Sequence, residues 1–248
     1  MSETAPDLST TPRLYVDQPL APGATITLPV PQSHYLAQVM RRQPGDVVRL
    51  FDGRSGEWAA RLVSVGRKAV TATLEAASAP QEAVADIWLC AAPLKRGRID
   101  WVAEKACELG VARFVPVITR RTIVDKLNLD RLRAHMVEAA EQCGRTALPD
   151  LAEPTPLAAL LRDWPAGRAL IFADETGGEP LPAVCARAPA PAAVLIGPEG
   201  GFTPEERAAI RAVPQALAVT LGPRILRADT AAAVAVGVWQ ALVGDRAA

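Results

Sequence analysis

The stretch PAAVLIGPEGGFTPEE, residues 191–206, runs an apolar segment into a glycine-rich turn and then into a helix start. Residues 192–196 form a short β-prone run of the kind a parallel sheet buries on both faces. Thr203, Pro204 and Glu206 then stand as N-cap, first helical residue and third-position partner of a capping box. Strand, turn and helix in that order are one unit of an α/β domain. Turns of this kind often hold phosphate, yet neither the G-x-x-x-x-G-K-[ST] nor the G-x-G-x-x-G spacing is present. Glu199, Glu205 and Glu206 also sit where a helix dipole would draw an anion, so they oppose a phosphate. A ligand without phosphate and with positive charge suits the turn better. An ordinary tight turn before a well-capped helix explains it too.

Outward from this turn, residues 86–248 alternate between strand-like and helix-like segments. Strands are expected at 86–92, 112–119, 168–174, 192–197 and 216–222. Helices are expected at 98–109 (closed by Gly110), 129–143 (closed by Gly144), 204–213 and 230–243, with a weak one near 156–163. The pattern predicts an α/β domain with a mainly parallel sheet, whose ligands lie at the carboxyl ends of the strands. Three loops fall there: DETGGEP (174–180), GPEGGFT (197–203) and GPRILRADT (222–230). In the last, Ile225 and Leu226 are either folded back on the core or form an apolar slot for a flat ring. Asp229 or Thr230 is expected to cap the final helix. That helix is apolar almost all round, which requires cover on more than one side.

The N-terminal part has another character. Five short strand-like runs between residues 13 and 76, interrupted by one helical segment at 33–42, suggest a small β-barrel over residues 13–75. Residues 1–12 read as a loose tail and residues 76–85 as a linker.

Composition bounds the function classes. The 248 residues are half hydrophobic, yet no apolar run reaches membrane-spanning length and the polar N-terminus has no signal-peptide pattern. A cytoplasmic protein is expected. Cys90, Cys107, Cys143 and Cys185 are scattered without a C-x-x-C pair, and the chain has 2 histidines, so buried reduced thiols and no metal site are expected. The zero net charge hides an asymmetry: residues 12–74 and 95–145 are each basic by four charges, while 146–248 are acidic by three. Such a distribution permits RNA binding, although indifferent surfaces carry charges of this size as well.

EKACELGV (104–111), EQCGR (141–145), IGPEGGFTPEE (196–206) and LGPRILRADTA (221–231) fall in the order found in the RsmE family, which the chain resembles from about Arg13 to its C-terminus. These are small-subunit ribosomal RNA uridine N3-methyltransferases of the SPOUT class. The resemblance implies a PUA-like RNA-binding β-barrel followed by an α/β methyltransferase domain with a trefoil knot. It implies S-adenosylmethionine as cofactor, 16S ribosomal RNA as substrate, and a homodimer. Neither periodicity nor composition points to a knot, since knots are rare.

By the same resemblance, Ile196, Gly197, Pro198, Glu199, Gly200 and Gly201 form one cofactor loop. Leu221, Gly222, Ile225, Leu226 and Arg227 form a second, and Glu175 and Thr176 contribute a third. Cys143 stands where the family commonly has Ser, Thr122 follows Arg121 where Ser is common, and Asp229 replaces the usual Glu. Methylating N3 of uridine requires loss of an imide proton, helped by a base or by a cation that stabilises charge developing on O2 and O4. Arg227 and Asp229 are the catalytic candidates, with Arg227 favoured; the base is unassigned. Arg13, Arg41, Arg42 and Arg49 in the barrel, with Arg120, Arg121 and Arg145 in the second domain, are the expected contacts to RNA phosphates.

Overall fold

The computed structural model describes residues 11–95, 97–124 and 126–244. The expected tail therefore lies outside the described residues, apart from Thr11 and Pro12. By contacts the chain divides into two units, one of residues up to 83 together with 140–147, the other of 84–139 and 148 onwards.

The first unit is built on a five-stranded sheet in the order β1-β3-β4-β5-β2. Its strands are β1 (Arg13–Tyr15), β2 (Thr25–Thr27), β3 (Val47–Phe51), β4 (Glu57–Val65) and β5 (Val70–Ala79). β1 pairs parallel with β3, and the other pairings are antiparallel. Alternating residues such as Val48, Leu50, Leu62, Ala72 and Leu74 bury the inner face. Between β2 and β3, α1 (Val30–His34) continues into a π-helical turn at Tyr35–Val39. Helix thus begins three residues earlier than the sequence reading placed it, with Pro31 in its first turn.

Two boundaries differ from the sequence reading. β5 runs on to Ala79, so the first four residues of the expected linker are strand. Their Ala-Ser composition resembles a linker, but cross-strand pairing with β4 as far as Glu57 overrides it. Residues 140–147 group with the barrel, although 140–143 are the last turn of a helix that begins in the second unit. The Glu82 carboxylate there accepts hydrogen bonds from the Ala147 amide and the Arg145 guanidinium, each at 2.8 Å.

The second unit holds an eight-stranded sheet in the order β11-β13-β10-β12-β6-β7-β8, with β9 also paired to β7. Its strands are β6 (Ile87–Ala91), β7 (Arg113–Ile118), β8 (Asp150–Leu151), β9 (Thr155–Pro156), β10 (Ala169–Ala173), β11 (Glu179–Pro180), β12 (Ala192–Ile196) and β13 (Ala216–Thr220). All pairings are parallel. The helices are α2 (Arg98–Glu108), α3 (Leu129–Cys143), α4 (Leu157–Arg162), α5 (Leu181–Cys185), α6 (Pro204–Arg211) and α7 (Ala228–Leu242). Every residue of β12 is buried, which explains why it reads as a continuous apolar run rather than an alternating one. Leu170, Phe172 and Leu195 pack with Leu157 of α4 and Ile210 of α6. α7 packs on β6 and β12 beside α2 and α5, and its buried Trp239 donates its indole N–H to the Ala188 carbonyl at 3.2 Å. The short strands β8, β9 and β11 and the five-residue α5 had no sequence signal, being too short to show a period.

Among the described residues no helix is long and apolar enough to cross a membrane. Cys90, Cys107 and Cys185 are buried, whereas Cys143 is exposed, contrary to the expectation that all four are buried. It ends α3, where the last turn meets solvent. Burial pushes the Cys90 thiol up to about 12, against the lowering effect of Arg168 and Arg113.

Candidate active site

Parallel strands end on one edge, and the loops after β10, β12 and β13 meet there around a cavity of about 340 Å³. This is the place where open α/β sheets bind ligands, and the size falls within the usual range for small-molecule sites. The end of β10 and the loop after it contribute Ala173, Asp174 and Glu175, and the end of β12 with its turn contributes Ile196 to Glu199, Gly201 and Phe202. Leu221 to Arg227 come from the loop after β13, Ala228 and Ala231 from the start of α7, and Arg207 from α6.

The glycine turn owes its shape to its composition. The Gly201 amide donates to the Pro198 carbonyl at 2.8 Å, closing the turn. Gly201 itself has φ +67°, and a Cβ there would lie 2.6 Å from Glu175 Oε1. Only glycine meets both demands without strain. Gly200 differs. It does not line the cavity; its carbonyl accepts from the Arg121 guanidinium, and a Cβ would meet only the flexible Arg121 stem, at 3.3 Å. After the turn, the Glu206 amide donates to Thr203 Oγ1 at 3.2 Å and the Thr203 amide to Glu206 Oε2 at 2.9 Å, the capping box expected from the sequence.

Asp174 is the carboxylate that the sequence reading did not name. Its side chain is fully buried, and it accepts from the Thr176 amide at 2.9 Å, Thr176 Oγ1 at 2.7 Å and Arg211 Nη2 at 2.7 Å. Burial opposes its ionisation, but these hydrogen bonds and the Arg211 charge outweigh it and hold the carboxyl below its ordinary value. Thr176 therefore acts on the loop through Asp174 and is not among the cavity-lining residues. Glu175 does line the cavity and is paired with Arg207, whose Nε also lies 3.4 Å from Asp174. An Asp ending an apolar strand, with Thr two residues on, is the local signal that could have found Asp174.

On the third loop, Gly222 takes φ +113° and Ile225 is 86% exposed, so Ile225 forms a cavity wall and is not folded back on the core. Arg227 lines the cavity at the N-cap of α7. Asp229 does not line it. Its carboxylate accepts from the Thr230 amide at 2.8 Å and pairs with Arg98 at 3.5 Å, so it faces α2. Neither Asp229 nor Thr230 caps α7: the N-cap is Arg227, which makes no side-chain capping bond. Asp229 sits in the first helical turn, where it complements the dipole.

Two of the seven arginines expected at RNA are withdrawn from solvent. Arg13 is buried against Phe51, its guanidinium donating to Glu57 and to the carbonyls of Ala140 and Arg145. Arg145 is buried and paired with Glu82. Removing such committed guanidinium groups to reach phosphate would leave buried carboxylate and carbonyl oxygens without donors. Arg49 is half-committed, 3.5 Å from Glu57. Arg41, Arg120 and Arg121 are exposed, and Arg42 is half-exposed, with Asp46 at 4.0 Å.

Residues 80–240 match the model of an RNA methyltransferase domain, and residues 28–75 that of an RNA methyltransferase PUA domain. Ribosomal RNA small subunit methyltransferase E of Synechocystis is 33% identical over 231 residues, covering 89% of this chain and 74% of that protein. The chain belongs to the RsmE family. Its α/β domain and N-terminal PUA domain are those of that family. The RsmE structure from Neisseria gonorrhoeae, bound to S-adenosyl methionine, superposes with a TM-score of 0.86 at 29% identity, over 95% of this chain and 99% of that one. Lpg2936 from Legionella pneumophila, solved in complex with SAM, gives 0.83 at 31% identity over 95% and 99%.

Proposed function

We propose that this RsmE-family chain transfers a methyl group from S-adenosylmethionine to N3 of a uridine in 16S ribosomal RNA, acting in the cytoplasm as a homodimer. The observation that carries the reading is the three-loop cavity, whose lining suits a nucleoside joined to a cationic amino-acid arm. Ile196, Leu221, Ile225, Leu226 and Ala231 offer apolar surface for a flat base, and the glycine turn brings backbone close to it. Glu199 lines the cavity and makes no ion pair with any described residue, leaving its charge available to a cation. Bound there, S-adenosylmethionine would supply a methyl group activated by a sulfonium.

The chain's own residues then have distinct tasks. The 197–201 turn and the Leu221–Leu226 segment hold and orient the cofactor. Glu175, fixed by Arg207, presents a carboxylate to cofactor hydroxyl or amino groups. Arg227, at the cavity edge, stabilises negative charge developing on the uracil oxygens as N3 loses its proton. The target base must be unpaired or turned out of its helix, because pairing hides N3. Exposed Arg41, Arg120 and Arg121 and half-exposed Arg42 supply phosphate contacts.

The proposed dimer uses the face where α2 and α7 pack together, on which Trp101 and Val234 stay 38% and 37% exposed. The proposed knot is supported by the strand order: β12 is inserted between β6 and β10, after which the chain crosses to β13 and returns as α7 over β6 and β12. Calorimetric titration tests the cofactor assignment. Saturable binding of S-adenosylmethionine with none of ATP is expected, and the reverse would refute it.

A further inference from the structure

The capping box of α6 has one feature beyond helix capping. Glu206 is buried; one carboxylate oxygen accepts from the Thr203 amide, but the other accepts at 2.8 Å from the amide of Arg120, which follows β7. The Arg120–Arg121 turn is itself closed, with the Thr122 amide donating to the Thr119 carbonyl at 3.2 Å and the Thr119 amide to Thr122 Oγ1 at 2.9 Å. From this turn the Arg121 guanidinium reaches the Gly200 carbonyl, and its stem lies over Gly200. The 197–203 turn is thus held at its middle by Arg121 and at its end by Glu206, both anchored on the loop after β7.

We propose that Arg121 and Glu206 are positioning residues that fasten the glycine turn to the β7 loop and so preset it for the cofactor. This rests on the reading of that turn as a cofactor loop. Arg121 thereby serves the cofactor side even without RNA, and a phosphate that drew its guanidinium away would loosen the Gly200 carbonyl. Cofactor and RNA affinities are then linked through this one side chain, reciprocally.

Glu206→Gln separates clasp from cap. Glutamine still completes a capping box, but its single carbonyl oxygen cannot serve both amides, and its NH2 opposes the Arg120 N–H. Arg121→Met removes the donor to Gly200, and Arg121→Lys keeps one. The readout is amide exchange of Gly201, whose N–H is bonded to Pro198 within the turn, in the full-length protein without cofactor. Glu206→Gln and Arg121→Met are expected to speed it roughly tenfold, the worth of one such hydrogen bond, with Arg121→Lys close to wild type and the amides of α6 beyond Glu206 unchanged. The Kd for S-adenosylmethionine is expected to rise by a similar factor. Wild-type exchange at Gly201 in Arg121→Met would overturn the proposal, as would faster exchange spread along all of α6 in Glu206→Gln. If the wild-type chain does not bind S-adenosylmethionine, the cofactor reading falls while the exchange data still decide whether the turn is fastened.

Discussion

Gly201→Ala is expected to weaken cofactor binding far more than Gly200→Ala, although the two glycines are adjacent. At Gly201 the backbone has φ +67°, a region that costs an L residue about 1–2 kcal/mol. The added Cβ also falls 2.6 Å from Glu175 Oε1, so the carboxylate must move. Glu175 is paired with Arg207, with side-chain exposures of 45% and 18%; in such a half-wet setting the pair is worth at most about 1 kcal/mol. Together the terms give about 1–3 kcal/mol. If the turn keeps its shape, the cost appears as lost stability. If it relaxes, it appears as an increase in Kd of roughly 5- to 150-fold. At Gly200 the φ is not left-handed and the new methyl meets only the movable Arg121 stem at 3.3 Å, so a change of no more than about threefold is expected. Thermal melts and calorimetry on the same samples divide the cost between the two channels. A Gly201→Ala protein with wild-type Tm and wild-type Kd would refute the reasoning, and so would a Gly200→Ala variant worse than Gly201→Ala.

Further outcomes follow from charge and packing. Because hydrogen bonding holds the Asp174 carboxyl below its ordinary 3.8, the stability it contributes is present above that pH and lost as pH falls through the lower folded value. Asp174→Asn should therefore lower Tm at neutral pH and flatten its fall below pH 3.8, leaving the part due to other depressed carboxyls such as Asp52, Asp163, Glu179 and Glu205; an unchanged acid slope would contradict this. Arg41→Ala with Arg42→Ala should weaken RNA binding and flatten its log–log salt dependence by roughly one unit per lost phosphate contact, with cofactor affinity intact; a wild-type slope would remove the pair from the interface. Light scattering at micromolar concentration should give twice the monomer mass for the wild type and a smaller mass for Trp101→Glu, and a wild-type monomer would exclude the dimer.

How much of the structure is legible in the sequence depends on the range of the forces involved. β12, its glycine turn and α6 are local: an apolar run, glycines and a capping box specify them within sixteen residues, and the structure has all three. Residues 76–79 look like a linker in sequence, and the 140–147 segment, although its helical end is legible, gives no local sign of its grouping with the barrel, because partners distant in sequence decide both, β4 in one case and Glu82 in the other. The loops that line the cavity were legible as glycine-rich strand ends, but the burial of Asp174 and its grip by Arg211 depend on how α6 packs, which no window of sequence contains. Arg13 and Arg145 show the same limit. An arginine looks alike in sequence whether it faces solvent or, as here, is buried with carboxylate and carbonyl acceptors.

Mass-spectrometric mapping of ribosomal RNA, after incubating the purified chain with S-adenosylmethionine and small subunits from a strain lacking this protein, tests the reaction itself. One uridine of 16S RNA is expected to gain a methyl group at N3, and Arg227→Ala to slow the transfer without abolishing cofactor binding. Unmodified uridine throughout, with the same chain shown to bind S-adenosylmethionine, or methylation at a ribose or another base, would contradict it.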